Sequence, residues 1–234
     1  MYGMHPSIGE NVEIKQRKVR KFLNKKISQL NDIVADLDGL VTKMGSEFYR
    51  VSIFGSARIK ADSQEYKDAY KLAFELSKRG ADIVTGGGPG LMEAANRGAK
   101  DGSNESRSYG LSIHLPFEAD ANSHLDVKYE HQRFSSRLEE FMRMSHAVVI
   151  TPGGIGTILE LFYTWQLLQV EHISERPVIL VGDMWNGLLD WIGKGPLSAK
   201  LLDKSDLDRL KFVSSIDEVI KELEPSIANF YKPK

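Results

Sequence analysis

From residue 51 to residue 223, short apolar runs alternate with longer stretches whose apolar positions recur every three or four residues. The short runs span residues 51–55, 81–85, 109–115, 147–150, 176–182 and 210–213. They are rich in Val and Ile and too short for stable helices, so each predicts a strand covered on both faces. The stretches between them carry helical spacing. Residues 66–79 place Ala69, Leu72, Ala73 and Leu76 on one face, and Gly80 ends that helix. Residues 91–99, 133–144, 161–170, 185–192, 197–203 and 216–223 complete the predicted helices. Strands alternating with helices in this way predict an α/β fold: a Rossmann-like, doubly wound parallel sheet with helices on both faces. Ahead of it, Val19, Phe22, Leu23, Ile27, Leu30, Ile33, Val34, Leu37, Leu40, Val41 and Met44 give one long amphipathic helix, stopped at Gly45. The chain therefore divides into a tail and helix over residues 1–45 and an α/β domain over 46–234. The apolar stripe of the long helix is expected to pack in part on a second subunit.

Two of the strand-to-helix junctions are glycine clusters. One is Gly86-Gly87-Gly88-Pro89-Gly90; the other lies in Thr151-Pro152-Gly153-Gly154-Ile155-Gly156-Thr157-Ile158-Leu159-Glu160. Missing Cβ atoms let a backbone approach a ligand closely. The first N–H groups of the following helix have no internal acceptor and favour an anion, most often phosphate. We expect a phosphate on the N–H groups of Gly153, Gly154, Ile155, Gly156 and Thr157, with Gly88 and Gly90 lining the other side. Ser56 and Arg58, just past the first strand, are further candidate contacts on the same edge. Glu160 is expected in the first turn of its helix, kept ionised by the helix end, and suited to charge stabilisation, contact with a sugar hydroxyl or activation of water rather than proton donation. A structural alternative stands beside this reading: Thr157-x-x-Glu160 is also a capping box. The spacing Gly86-x-Gly88-x-Gly90 does not match the dinucleotide fingerprint and no Walker sequence is present, so the edge suits a mononucleotide best.

Composition narrows the chemistry. The chain has 234 residues, a net charge of −1 and no cysteine. The balance of charge offers no field for nucleic acid. The absence of cysteine rules out disulfides, thiolate metal sites and cysteine nucleophiles, and fits a cytoplasmic location. No apolar run is long enough to span a membrane, and no apolar signal core opens the chain. His114, His131 and His146 lack metal-ligand spacing, so no metal and no cofactor are expected. Asn96 and Arg97, on the helix after the first cluster, read as buttresses for the loop.

Gly86–Ala99 and Pro152–Glu160, together with Phe54-Gly55-Ser56-Ala57-Arg58 and Leu115-Pro116-Phe117-Glu118, resemble the LOG (Lonely Guy) family over residues 51–182. The resemblance implies hydrolysis of the N-glycosidic bond of a nucleoside 5′-monophosphate, of AMP or cytokinin ribotide type, to free base and ribose 5-phosphate. It implies Arg137 and Glu160 as the catalytic pair, Thr164 as a further ligand contact, and at least a homodimer. Leu138 stands where many members carry lysine. Many members were once labelled lysine decarboxylases. That chemistry needs a Schiff-base lysine for pyridoxal phosphate, and from residue 101 to residue 193 the only lysine is Lys128. A non-catalytic nucleotide-binding protein of the same fold is the alternative.

Overall fold

The computed structural model describes residues 16–30, 47–103, 105–113 and 121–232. The chain separates into two units, Met1–Glu47 and Phe48–Lys234. In the first, residues 16–30 form helix α1. Its Val19, Phe22, Leu23, Ile27 and Leu30 are all exposed. The rest of the expected long helix, residues 31–44, lies outside the described residues.

The second unit is built on seven parallel strands: β1 (Arg50–Phe54), β2 (Asp82–Thr85), β3 (Ser108–Ile113), β4 (Val127–His131), β5 (Ala147–Ile150), β6 (Val178–Val181) and β7 (Leu210–Val213). Their order is β4-β3-β2-β1-β5-β6-β7. The chain winds outward from β1 through β2 and β3 to β4, returns to lay β5 against the other side of β1, then winds outward again. The direction reverses between β1 and β5, where Val51 to Phe54 pair with Ala147 to Ile150 in unbroken register. Ligands of open parallel sheets bind outside the strand carboxyl ends at such a point.

Alternation along the strands divides the core into two layers. Val51, Ile53, Ile83, Ala147, Val149 and Ile179 face helices α2 (Gln64–Lys78) and α8 (Ile216–Phe230). Phe54, Val84, Val148, Ile150, Val178 and Leu180 face α4 (Phe134–Met144) and α5 (Ile155–Gln169). Helix α3 (Leu91–Gly102) lies so close on α2 that a Cβ at Gly98 would stand 2.2 Å from the Tyr70 carbonyl oxygen. The face expected from the spacing in residues 66–79 is buried: Ala69, Leu72, Ala73 and Leu76 are each at most 1% exposed.

One expected element differs, and one strand is additional. Residues 197–203 are not a regular helix: α6 (Asn186–Ile192) runs into a π turn over Gly193–Leu197 containing Pro196, and the next helix is the short α7 (Lys204–Leu207). Proline removes an N–H and crowds the turn before it, which widens the helix there. Strand β4 was not anticipated. It is a half-exposed edge strand, and its sequence Val-Lys-Tyr-Glu-His lacks the apolar run that marks the buried strands.

The amino ends of the strands are locked by a ring cluster. His146 stacks on Tyr49 with ring centroids 5.2 Å apart, and its Nδ1 accepts the Arg50 N–H at 2.9 Å. Burial lowers its pKa to about 4, reinforced by Arg50 and Arg176. The unfolded chain takes up this proton near pH 6.5, and the folded chain only near 4. Between those values the unfolded state binds more protons, so stability falls as pH falls. Urea unfolding at pH 7 and pH 4.5 should show this loss. His146→Phe should flatten the acid limb while costing about 1 kcal/mol at pH 7 through the orphaned Arg50 N–H. An acid limb equally steep in the variant would show that His146 is not its source.

Candidate active site

Three strand ends meet at the reversal point, and their turns are stitched together. The Thr151 N–H donates to the Phe54 carbonyl at 2.8 Å, the Ser56 N–H to the Pro152 carbonyl at 3.1 Å, and the Leu91 N–H to the Ser56 carbonyl at 3.0 Å. The Thr151 hydroxyl adds a second bond to the Phe54 carbonyl at 2.8 Å. Gly90 is required where these turns touch. Its φ is +69°, and a Cβ there would stand 2.4 Å from the Ser56 carbonyl oxygen. The glycine loop after β2 and the glycine turn after β5 are thereby held on either side of the β1 end.

The turn after β5 presents unpaired donors. Helix α5 has Gly154 as its N-cap and no side-chain cap. The Ile158 N–H is the first to find a helical acceptor, on Gly154. The N–H groups of Gly153, Gly154, Ile155, Gly156 and Thr157 have no acceptor among the described residues. Nothing lies within 4 Å of where a Cβ would project from Gly154 or Gly156, so this face is open. Thr157 instead folds back on Gly153 and is buried. The capping-box alternative therefore fails: the cap is Gly154, and Thr157 is already the third helical residue.

Arg137 and Glu160 come together between the two glycine elements. Arg137 projects from α4 and Glu160 from α5, and Arg137 Nη2 lies 3.4 Å from Glu160 Oε1. Their side chains are 12% and 10% exposed, so the pair is nearly enclosed. A Cβ at Gly86 would stand 3.8 Å from Arg137 Nη1, which sets the guanidinium against the β2 loop as well. The rings of Phe134 and Phe141 flank it at 5.6 and 5.9 Å. Arg137 makes one long contact with Glu160 rather than a bidentate fork, and its buried Nε has no acceptor. The Nη N–H groups not used by Glu160 are thus left for a ligand.

The expectation for Glu160 needs correction. It is the sixth residue of α5, beyond the first turn, and no backbone N–H reaches its carboxylate. Burial raises its pKa to about 7, and Arg137 pulls the other way without cancelling that effect. The helix end does not hold it ionised because helix-end electrostatics fade within a turn. Glu160 is instead a carboxyl group balanced between its two forms at neutral pH.

Thr164 also differs from expectation. It is fully buried, and its hydroxyl donates to the Glu160 main-chain carbonyl at 2.7 Å. It supports the helix under Glu160 rather than facing the open side. The Ser56 hydroxyl accepts the Arg58 N–H at 3.1 Å, which tightens its own turn, and Arg58 is exposed. Asn96 is the buttress expected, whereas Arg97 turns outward to Asp101 and the Tyr70 ring.

The model of a family described as "Possible lysine decarboxylase" matches residues 92–223. The cytokinin riboside 5′-monophosphate phosphoribohydrolase LOG3 of Arabidopsis thaliana is 31% identical over 189 residues, covering 76% of this chain and 83% of that protein. Its relative LOG4 is 34% identical, over 65% of this chain and 72% of that protein. This chain belongs to the LOG family. A pyrimidine/purine nucleotide 5′-monophosphate nucleosidase of Escherichia coli K12 is 33% identical over 129 residues, 52% of this chain but only 28% of that longer protein. The molybdenum cofactor binding protein of Rippkaea orientalis shares the fold, with a TM-score of 0.58 at 21% identity over 78% of this chain and 99% of that one.

Leu138, where the resemblance to the LOG family implies a lysine, is buried in the core, 5% exposed. Lys128 is exposed on the edge strand β4, opposite Gly110. It stands open to solvent on that edge, without the enclosed pocket in which a pyridoxal phosphate Schiff base is held. Among the described residues no His, Asp or Glu cluster could hold a metal ion, and no helix is long and apolar enough to cross a membrane.

Phe134, which stands 47% exposed beside Arg137, was not anticipated, and within residues 117–126, an irregular polar stretch expected to rim the site, Asn122 was not singled out although it grips the β2 loop. The first was hidden inside a helical apolar pattern, the second in a stretch without periodicity.

A carbon-13 titration of labelled glutamate should find one carboxyl, that of Glu160, changing state near pH 7. Arg137→Gln should move that midpoint upward, since Arg137 acts to lower it. A Glu160 midpoint near the ordinary 4.5 would refute the enclosed geometry.

Proposed function

We propose that this protein hydrolyses the N-glycosidic bond of a nucleoside 5′-monophosphate, of AMP or cytokinin ribotide type, releasing the free base and ribose 5-phosphate. The observation that carries this reading is the enclosed Arg137–Glu160 pair beside a row of unpaired N–H groups. The phosphate docks on Gly153, Gly154, Ile155, Gly156 and Thr157, and on Gly88 across the cleft. Anchoring at the phosphate holds the ribose over Glu160 in one pose. The exposed face of Phe134 is offered to the base.

As the bond from C1′ to the base nitrogen lengthens, its electron pair leaves with the base and positive charge builds on the ribose. Ionised Glu160 stabilises that charge more than it stabilises the neutral sugar, and this difference lowers the barrier. It also accepts a proton from the water that attacks C1′. A proton then returns to the departing base, so the products are neutral base and ribose 5-phosphate. A carboxyl group with a pKa of about 7 suits this proton transfer at neutral pH. Arg137 stays charged throughout and holds Glu160 in place with one N–H. Its remaining N–H groups meet the substrate.

The assembly is proposed to be a homodimer. Ile155, Ile158, Leu159 and Phe162 recur at helical spacing along α5, with exposures of 88%, 37%, 43% and 37%. That is an apolar stripe next to the site, of a kind a second copy would cover.

Incubation with a panel of nucleoside monophosphates and the matching nucleosides should release base from the monophosphates alone. For an accepted substrate, kcat/KM should rise through an ionisation near pH 7 as Glu160 loses its proton. Glu160→Gln should retain monophosphate binding and lose turnover by a factor on the order of a hundred or more. Ligand-dependent melting with no product from any monophosphate would replace the enzyme by a nucleotide-binding protein. Light scattering should give twice the chain mass, falling to one chain in a Leu159→Lys, Phe162→Lys double variant. A monomeric wild type would overturn the dimer.

A further inference from the structure

The loop from Gly86 to Gly90 is gripped from one side by a polar network that the proposed chemistry does not use. The Thr85 hydroxyl accepts the Gly87 N–H at 2.9 Å and donates to Asn96 Oδ1 at 2.7 Å. Asn96 is fully buried, and its Nδ2 reaches Ser108 Oγ at 2.8 Å and the Tyr109 carbonyl at 3.3 Å. Asn122 closes the network. Its main-chain N–H donates to the Gly87 carbonyl at 2.8 Å. Its Nδ2 lies 3.1 Å from the Gly87 carbonyl, 2.9 Å from the Gly88 carbonyl and 3.0 Å from Asn96 Oδ1. Three acceptors surround that atom, while Asn122 Oδ1 accepts the His124 N–H at 3.0 Å. The surroundings therefore dictate which end of the amide carries the donors.

Planarity transmits this grip across the loop. Cis peptide bonds are absent from the described residues, and in a trans peptide the C=O and the following N–H point in opposite directions. With the Gly87 carbonyl turned to Asn122, the Gly88 N–H is turned away from it. That N–H has no acceptor among the described residues. Neither Gly87, at φ +75°, nor Gly88 has a side chain to resist a flip of the peptide between them. A flip would present a carbonyl oxygen to the ligand in place of the N–H, and a carbonyl repels a phosphoryl oxygen.

We infer that Asn122 is a positioning residue, which holds the Gly87–Gly88 peptide so that the Gly88 N–H faces a phosphoryl oxygen of the nucleotide. The inference rests on the nucleotide reading of the site and adds a residue outside the glycine motifs. Asn122 acts through Gly88 and touches no substrate atom itself.

The first test needs no variant. Ribose 5-phosphate is titrated into the nitrogen-15-labelled full chain, and the amides of Gly88, Gly154 and Gly156 are followed. All three should move together. Movement of Gly154 and Gly156 without Gly88 would overturn the role of Asn122 and leave the nucleotide reading standing. No movement of any of them would overturn both. The second test is Asn122→Asp, which keeps the size and replaces the donors with an acceptor facing three acceptors. At pH 8 its affinity for ribose 5-phosphate, relative to wild type at the same pH, should fall tenfold or more. Affinity for the free nucleoside should change less than twofold. Lowering the pH to 5.5 should narrow the gap to wild type, because a protonated carboxyl group donates again. Equal losses for both ligands, or a gap indifferent to pH, would reduce Asn122 to a structural role and overturn the inference. Should Asn122→Asp not fold, Asn122→Ser, which keeps a shorter donor, takes its place, with the same contrast between the two ligands expected.

Discussion

The lateral pairing of β1 with β5 is the constraint on which the rest of the site depends. Parallel strands need crossovers, and crossovers that depart in opposite directions leave the strand ends between them uncovered. Here the uncovered ends are those of β1, β2 and β5. Backbone bonds among Phe54, Ser56, Leu91, Thr151 and Pro152 bind their turns into one floor. The close approach of Gly90 to Ser56 is part of that floor, and it explains why a glycine ends the β2 loop.

Above the floor, burial and charge oppose each other. Enclosing a carboxylate disfavours its ionised form, and a single arginine contact of 3.4 Å does not restore it fully. A shorter, bidentate pair would have favoured the ionised form of Glu160 more strongly and left Arg137 fewer N–H groups for a ligand. The looser pair leaves a proton-accepting group near neutrality beside a cation with free N–H groups. Such an arrangement contributes little to stability, and a site that must exchange a proton at neutral pH requires this balance.

The two glycine elements differ in how they are held. The turn after β5 depends on its own helix: α5 begins at Ile155, and the N–H groups before its first internal bond are free because of helix geometry alone. The loop after β2 depends on its neighbours, since its peptide orientation is set by Thr85, Asn96 and Asn122. A motif can encode the first within a few residues. The second needs partners drawn from β2, α3 and the segment before β4.

Local pattern determined a good deal by itself. Apolar runs marked β1, β2, β3, β5 and β6, because strands buried on both faces are mainly apolar, and a shorter run marked the edge strand β7. Helical spacing marked the main helices, and glycine clusters at strand ends marked the edge proposed for the phosphate. Glu160 stood out as a candidate through the pattern of strand, glycine turn and helix, whereas Arg137 was named as its partner only through resemblance to a family. What only the tertiary structure decided follows from packing between distant segments. It exposed one side of β4 and so erased its signal, and it buried Thr164 under Glu160. It also enclosed Glu160 and moved its proton equilibrium to neutrality, where the sequence pattern argued for an ionised first-turn carboxylate. Burial is a property of what surrounds a side chain, and for Glu160 those surroundings include α4, far from it along the chain.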